Sequence, residues 1–271
     1  MKRYDLEADD KGKDGWFGGR PPGLKSAQWP RSRNTGLPMV HLVTLRLPAD
    51  YQRRGPAYPG IAFFQAHDVG ADPVDGVEHI FESGGKLSEH QREEEFYVAV
   101  AKAVKGKHPM ERVWTEEDIG FALIWLTAEE LAGKPTKLPK DIRHEDVEDE
   151  PAAWDSEAER EPLRLREVED PNVGKSPREM TSEEDGSDEE RLVDEPGDDY
   201  VPYFMLSKRL QEQVGYASNH LGGTVTPPGN LTLADPTTPY VLELTEVEGS
   251  NLAGGGIVID LETETLNWSA G

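Results

Sequence analysis

Pro38-Met-Val-His-Leu-Val-Thr-Leu-Arg-Leu47 is a run of apolar and β-branched residues that stops at Pro48, and Gly60-Ile-Ala-Phe-Phe-Gln65 follows it after the turn signal Pro59-Gly60. Both runs have the length and composition of buried strands. A comparable order returns late in the chain. Trp16-Phe-Gly-Gly19, a Pro-rich loop, the Pro38-led strand and the Gly60-led strand stand beside His220-Leu-Gly-Gly223, Pro227-Pro-Gly229, Pro239-Tyr-Val-Leu-Glu-Leu-Thr245 and Gly256-Ile-Val-Ile259. Internal duplication is the economical explanation, and chance likeness between Gly- and Pro-rich stretches is the competing one. Each Gly-Gly reads as a tight turn where backbone approaches backbone.

Outward from these strands the pattern becomes mixed. Between Ser88 and Val104 it is helical: Ser88 and Gln91 form a capping-box pair, and Phe96, Val100 and Val104 share a face with Tyr97 and Ala101. An apolar segment starts after Thr115-Glu-Glu-Asp118 and runs through Leu126, and Thr127 to Gly133 reads as a capped helical turn. Phe204 to Tyr216 fits a helix carrying Leu206, Leu210 and Val214 and closing at Gly215, and Thr265 to Trp268 reads as a last short strand. The predicted fold class is therefore α+β: two pseudo-symmetric β-sheet halves with flanking helices and a long acidic insertion. The boundaries are 1–144, 145–200 and 201–271.

Charge sets that middle segment apart. Of a net charge of −24 over 271 residues, positions 145–200 hold 23 acidic against 6 basic residues, which is −17. Self-repelling runs such as 145–150 and 182–190 bury too little apolar surface to offset the entropy of ordering. This predicts a flexible insertion, with local structure at Trp154 and at Leu163-Arg-Leu-Arg-Glu-Val168. An acidic balance of this size opposes direct nucleic-acid or membrane binding and favours a basic protein partner. The apolar run Ile119–Leu126 is too short for a membrane span, the N-terminus lacks a signal-like apolar stretch, and the chain has no cysteine. The expected compartment is the cytoplasm, and no cofactor is expected.

The string Gly15-Trp-Phe-Gly-Gly-Arg-Pro-Pro-Gly-Leu24, with Gln28-Trp-Pro30, the Pro38–Leu47 strand, Pro59-Gly-Ile-Ala-Phe-Phe64 and His220-Leu-Gly-Gly223, resembles the YwqG-like family of bacterial proteins of unknown function. The resemblance covers about 15–65 and 204–268. Thr44 stands where that family commonly has Gln, and the acidic insertion is not a general family feature. The resemblance implies an internally duplicated α+β fold. Since members often lie near polymorphic toxin systems, it also implies an immunity or interaction role, with no catalytic residues attached.

Three functions follow. The first is an immunity-type or regulatory binding protein that masks a basic site on a toxin or enzyme. Its contact residues would be Glu148, Asp149, Glu150, Trp154, Glu183, Glu184, Asp185, Asp188, Glu189 and Glu190. Among them Trp154 would supply area and the acids steering; a solvated linker is the competing reading of the segment. The second is a metal-dependent hydrolase built on His67, Asp68, Asp72, Asp75, Glu78 and His79, whose imidazoles and carboxylates suit Zn²⁺, Mn²⁺ or Ca²⁺ or acid–base work. Their spacing matches no metal template, so a polar surface loop competes with it. The third is a scaffold in which the insertion is a spacer. Ser83-Gly-Gly-Lys86 lacks the phosphate-loop pattern and reads as a turn, while His41 and His220 read as buried, satisfied histidines. Binding is weighed above catalysis.

Overall fold

The computed structural model describes every residue except 68–70, 117–118, 156–159, 182–191, 217–218, 227–232, 234–236, 246, 248–249, 253 and 270–271. The first strands are β1 (Arg3–Ala8), β2 (Gly15–Phe17), β3 (Val40–Arg46) and β4 (Gly60–Gln65). Helices α1 (Val77–Glu82) and α2 (Glu95–Gly106) precede β5 (Glu111–Glu116), β6 (Ile119–Leu126) and α3 (Ala128–Leu131). Then come β7 (Glu161–Val168), α4 (Lys208–Val214), β8 (His220–Leu221), β9 (Val241–Thr245), β10 (Gly256–Asp260) and β11 (Thr265–Ser269).

All eleven strands form one antiparallel sheet in the order β11-β10-β9-β8-β1-β7-β2-β3-β4-β6-β5. The sheet curls until its two edges meet. Glu264, in the turn between β10 and β11, latches them: it accepts from Trp125 Nε1 at 2.9 Å and Arg54 Nε at 2.6 Å, and it pairs with Arg112. Its backbone oxygen takes Trp114 Nε1–H at 3.0 Å. These cations and donors hold the Glu264 carboxyl below its ordinary pKa against the opposing effect of its burial.

Alternation along the strands explains the layers. Phe17, Leu45, Phe63, Phe121, Leu163, Leu242 and Ile257 point into one core inside the curled sheet. On the opposite face of β3, β4 and β6, Met39, Phe64 and Ile124 pack against Phe96 and Val100 of α2 and Ile80 of α1. Strand β6 is buried on both faces, which is why it reads as a continuous apolar run rather than an alternating one. The chain is thus α+β, with the sheet dominating.

Two expectations change. The halves are not separate sheets, because β1 and β7 join them into one. Nor is 145–200 a single acidic insertion: β7 lies inside it and pairs with β1 from Arg3↔Val168 to Ala8↔Leu163 and with β2 at Gly15↔Leu163. Alternation of Leu163 and Leu165 with charged residues lets one face join the core while Arg164 and Arg166 pair with Asp9, Asp5 and Glu7. A count of charges hides that alternation. Elsewhere the strands predicted at 60–65, 239–247, 256–261 and 265–268 are matched by β4, β9, β10 and β11, with β9 covering only Val241–Thr245, and Thr127 caps α3 through a box with Glu130. The Ser88–Gln91 box forms too, but it starts a 3-10 turn at His90–Arg92, ahead of α2.

Pairing around the two Gly-Gly turns runs in parallel. Trp16 faces Thr44 and Phe17 faces Val43, while His220 faces Glu243 and Leu221 faces Leu242. Gly18 N–H donates to Leu42 O and Gly222 N–H to Val241 O, both at 2.8 Å. Gly18, Gly19, Gly222 and Gly223 all have positive φ, and a Cβ on Gly222 would sit 1.8 Å from the Tyr51 hydroxyl. Among the described residues no helix is long and apolar enough to cross a membrane.

Candidate functional site

The loop after β4 does not assemble a metal centre among its described residues. His67 is half-buried, Asp72, Asp75 and His79 are exposed, Glu78 and His79 ride on α1, and Asp68 lies outside the described residues. No group of three metal-ligating side chains occurs among the described residues. Ser83 to Lys86 forms a turn at the end of α1, in which the Lys86 N–H donates to Ser83 Oγ at 3.1 Å.

The predicted contact residues separate into three groups. Glu148 and Asp149 are exposed and Glu150 is half-buried, on a turn held by Arg143, whose guanidinium donates to the Glu148 and Glu150 carbonyls. Glu183, Glu184, Asp185, Asp188, Glu189 and Glu190 lie outside the described residues, as does the Pro227–Gly229 loop. Trp154 is only 5% exposed; it packs in the helix-side core with Arg143 5.3 Å above its ring. The predicted aromatic anchor is therefore a core residue, because the apolar cluster on the helix side of the sheet takes its ring out of water.

An aromatic surface does stand beside the acids, further along. Pro202 starts a 3-10 turn at Tyr203–Met205, and Leu206, Leu210 and Val214 then pack α4 inward. That anchoring turns Phe204 and Tyr216 outward, each 51% exposed. With Tyr203 they form a cluster whose ring centroids are 5.3, 5.4 and 6.2 Å apart. Val193 brings the preceding segment alongside, accepting from Ser207 N–H at 3.0 Å and donating to Met205 O at 2.8 Å. Here Asp194, Glu195, Asp198 and Asp199 are exposed. Neighbouring cations bind backbone oxygens, Arg209 at Asp194 and Lys175 at Gly197 and Asp199, so that the carboxylates face outward. Tyr203-Phe204 follows Asp199 after Tyr200-Val201-Pro202, and that proximity was the available signal; reading Phe204 as the start of a helix conceals it.

A second polar cluster is sealed. Glu243 accepts from Thr226 N–H at 2.9 and 3.1 Å and from Thr226 Oγ1–H at 3.0 Å, and His220 Nε2 is 3.4 Å from its Oε2. Burial pushes the Glu243 carboxyl up to about 7, against the Thr226 hydrogen bonds and the charge of Arg3. Asp170 accepts from Arg3 Nη1 at 2.8 Å, from Asn172 and Thr224 N–H at 2.7 and 2.9 Å, and from Thr224 Oγ1–H at 3.0 Å. His220, Arg3 and Glu243 are wholly buried, so the cluster meets no substrate. His41 is likewise buried and paired at both ring nitrogens, with Gly18 O and Thr44 Oγ1 each at 2.8 Å. Burial lowers its pKa to about 4.

Compared with known family models, curated proteins and solved structures, the chain shows no match. Function must therefore be argued from the surfaces themselves.

Proposed function

We propose that this protein is a non-enzymatic binding protein of the immunity or regulatory type, which masks a basic site on a protein partner such as a toxin. The observation that carries the reading is the exposed Tyr203–Phe204–Tyr216 cluster flanked by Asp194, Glu195, Asp198 and Asp199. Exposed aromatics supply the area from which binding hot spots are built, and the surrounding carboxylates steer a basic surface towards them. The charge of −17 over 145–200 extends the steering field, and the likeness to the YwqG-like family favours the same role. The hydrolase reading has no comparable support, since Asp72, Asp75 and His79 are exposed and no group of three metal-ligating side chains occurs among the described residues.

The test is affinity capture from the native host with three proteins: wild type, Phe204→Ala/Tyr216→Ala, and a variant with the four carboxylates of 194–199 changed to amides. A basic protein should be retained by wild type at low salt, released by high salt, and lost from both variants. Equal retention by all three would sink the masking mechanism and favour a scaffold with a spacer.

We further infer that the two halves arose by duplication of a unit of four strands. The Gly-Gly turns, the Trp16↔Thr44 and His220↔Glu243 pairs and the matched Gly18 and Gly222 hydrogen bonds support it. So does the exchange at the centre, where Tyr4 pairs with Leu221 as Glu161 pairs with Phe17.

A further inference from the structure

In a chain with 53 acidic residues, one cavity is lined by cations. It occupies about 550 Å³ on the outer face of β2 and β3, with Lys13, Arg20, Arg46 and Arg160 around Trp16 and the segment after α3 as its far wall. Among the described residues no carboxylate pairs with any of the four. Nearby acids are engaged elsewhere: Asp9 pairs with Arg164 at 2.8 Å, Asp14 accepts from Leu165 N–H at 2.9 Å, and Glu130 takes His108 and Thr127.

The cations are also positioned. Arg160 lies 3.7 Å from the centre of the Trp16 ring, and Arg46 Nη2 donates to Leu131 O at 3.2 Å. Burial and the charge of Arg46 lower the Arg160 pKa, as expected for guanidinium groups held close together. Trp16 is 4% exposed, and its Nε1–H is buried with no acceptor among the described residues. Like charges gathered with no paired carboxylate among the described residues, beside an unsatisfied donor, are what an anion site looks like.

We propose that this cavity binds a small, multiply charged oxyanion, a phosphorylated or polycarboxylate molecule. Planar guanidinium groups match the oxygens of either in two-point hydrogen bonds. The volume lies within the span of small-molecule sites, roughly 300–1,000 Å³. A nucleic acid does not fit, because a long polyanion would also meet the acidic surface beyond the cavity.

The experiment is calorimetric titration of the full chain with pyrophosphate and, separately, with citrate, against sodium chloride at matched ionic strength. Indole N–H resonances, assigned with Trp16→Phe, provide a local readout. The expected result is saturable one-to-one binding that moves the Trp16 resonance and weakens roughly tenfold or more in Arg46→Gln and in Arg160→Gln, with circular dichroism unchanged. Binding of pyrophosphate alone assigns the site to phosphorylated ligands, and binding of citrate alone to polycarboxylates. No binding up to roughly 10 mM, or binding indifferent to both substitutions, overturns the proposal.

Discussion

Glu243 offers a test of the sealed cluster, because a buried carboxyl that prefers to stay neutral makes stability depend on pH in a fixed direction. Its folded pKa of about 7 stands above an ordinary 4.5. Below 4.5 the group is protonated in both folded and unfolded chains and contributes nothing to the difference. As pH rises the unfolded chain ionises first, so the folded state is progressively disfavoured until pH passes 7. At about 1.4 kcal/mol per pH unit, the whole change is worth roughly 3 kcal/mol. Glu243→Gln removes this titration and keeps an oxygen for Thr226, at a pH-independent cost. His41 titrates in the opposite sense: its folded pKa of about 4 means that stability is lost as pH falls from 6.5 through 4. That contribution is common to both proteins and cancels in their difference. Urea unfolding of wild type and Glu243→Gln at pH 5, 6, 7 and 8 would therefore show the variant gaining on wild type with rising pH, by roughly 3 kcal/mol at the upper end. A flat difference would refute the reasoning. So would the opposite slope, which would mean that Glu243 is ionised and held by a protonated His220.

Two further substitutions probe the same region. Asp170→Ala removes the acceptor of four hydrogen bonds and leaves the wholly buried Arg3 paired with Asp5 at 3.0 Å; a loss of about 3 kcal/mol in denaturant unfolding is expected. Gly222→Ala places a Cβ against the Tyr51 hydroxyl at a φ of 66°, and should cost about 1–3 kcal/mol in the same assay, whereas Gly84→Ala, with open space around it, should show only the backbone part of that cost.

How much of this was legible in the sequence depends on which signal each element carries. Strands β3, β4, β6, β9 and β10 bury most of their residues, so composition alone marks them. Local structure at Leu163–Val168 was legible, but the place of β7 in the sheet was not: Arg164, Arg166 and Glu167 make it look like part of an acidic linker, although their partners Asp9, Asp5, Glu7 and Lys2 lie on or beside β1, far away in sequence. Only pairing turns those charges into a sheet face. Trp154 failed as an anchor for the complementary reason, since local sequence reveals its acidic neighbours but not the apolar surface it covers. The cation-lined cavity was equally out of reach, because Lys13, Arg20, Arg46 and Arg160 are isolated basic residues until β2, β3 and β7 bring them together.

The proposed duplication sharpens what that cavity means. Aligning the two Gly-Gly turns sets Trp16 on His220, Thr44 on Glu243, Arg20 on Thr224 and Pro22 on Thr226. In the second half the hydroxyls and N–H groups of Thr224 and Thr226 turn inward to satisfy Asp170 and Glu243, and the space is filled. In the first half Pro22 has no N–H to give, Thr44 is occupied by His41, and Arg20 borders an open cavity. One backbone arrangement thus supports a closed cluster built around carboxyl groups on one side of the sheet centre and an open, positively charged one on the other. If the anion site is real, the asymmetry must appear in binding: Glu243→Gln should leave pyrophosphate affinity where it is, while Arg46→Gln lowers it. Should both variants weaken binding alike, the loss would not be specific to the cations that line the cavity, and the cavity would lose its claim to a ligand of its own.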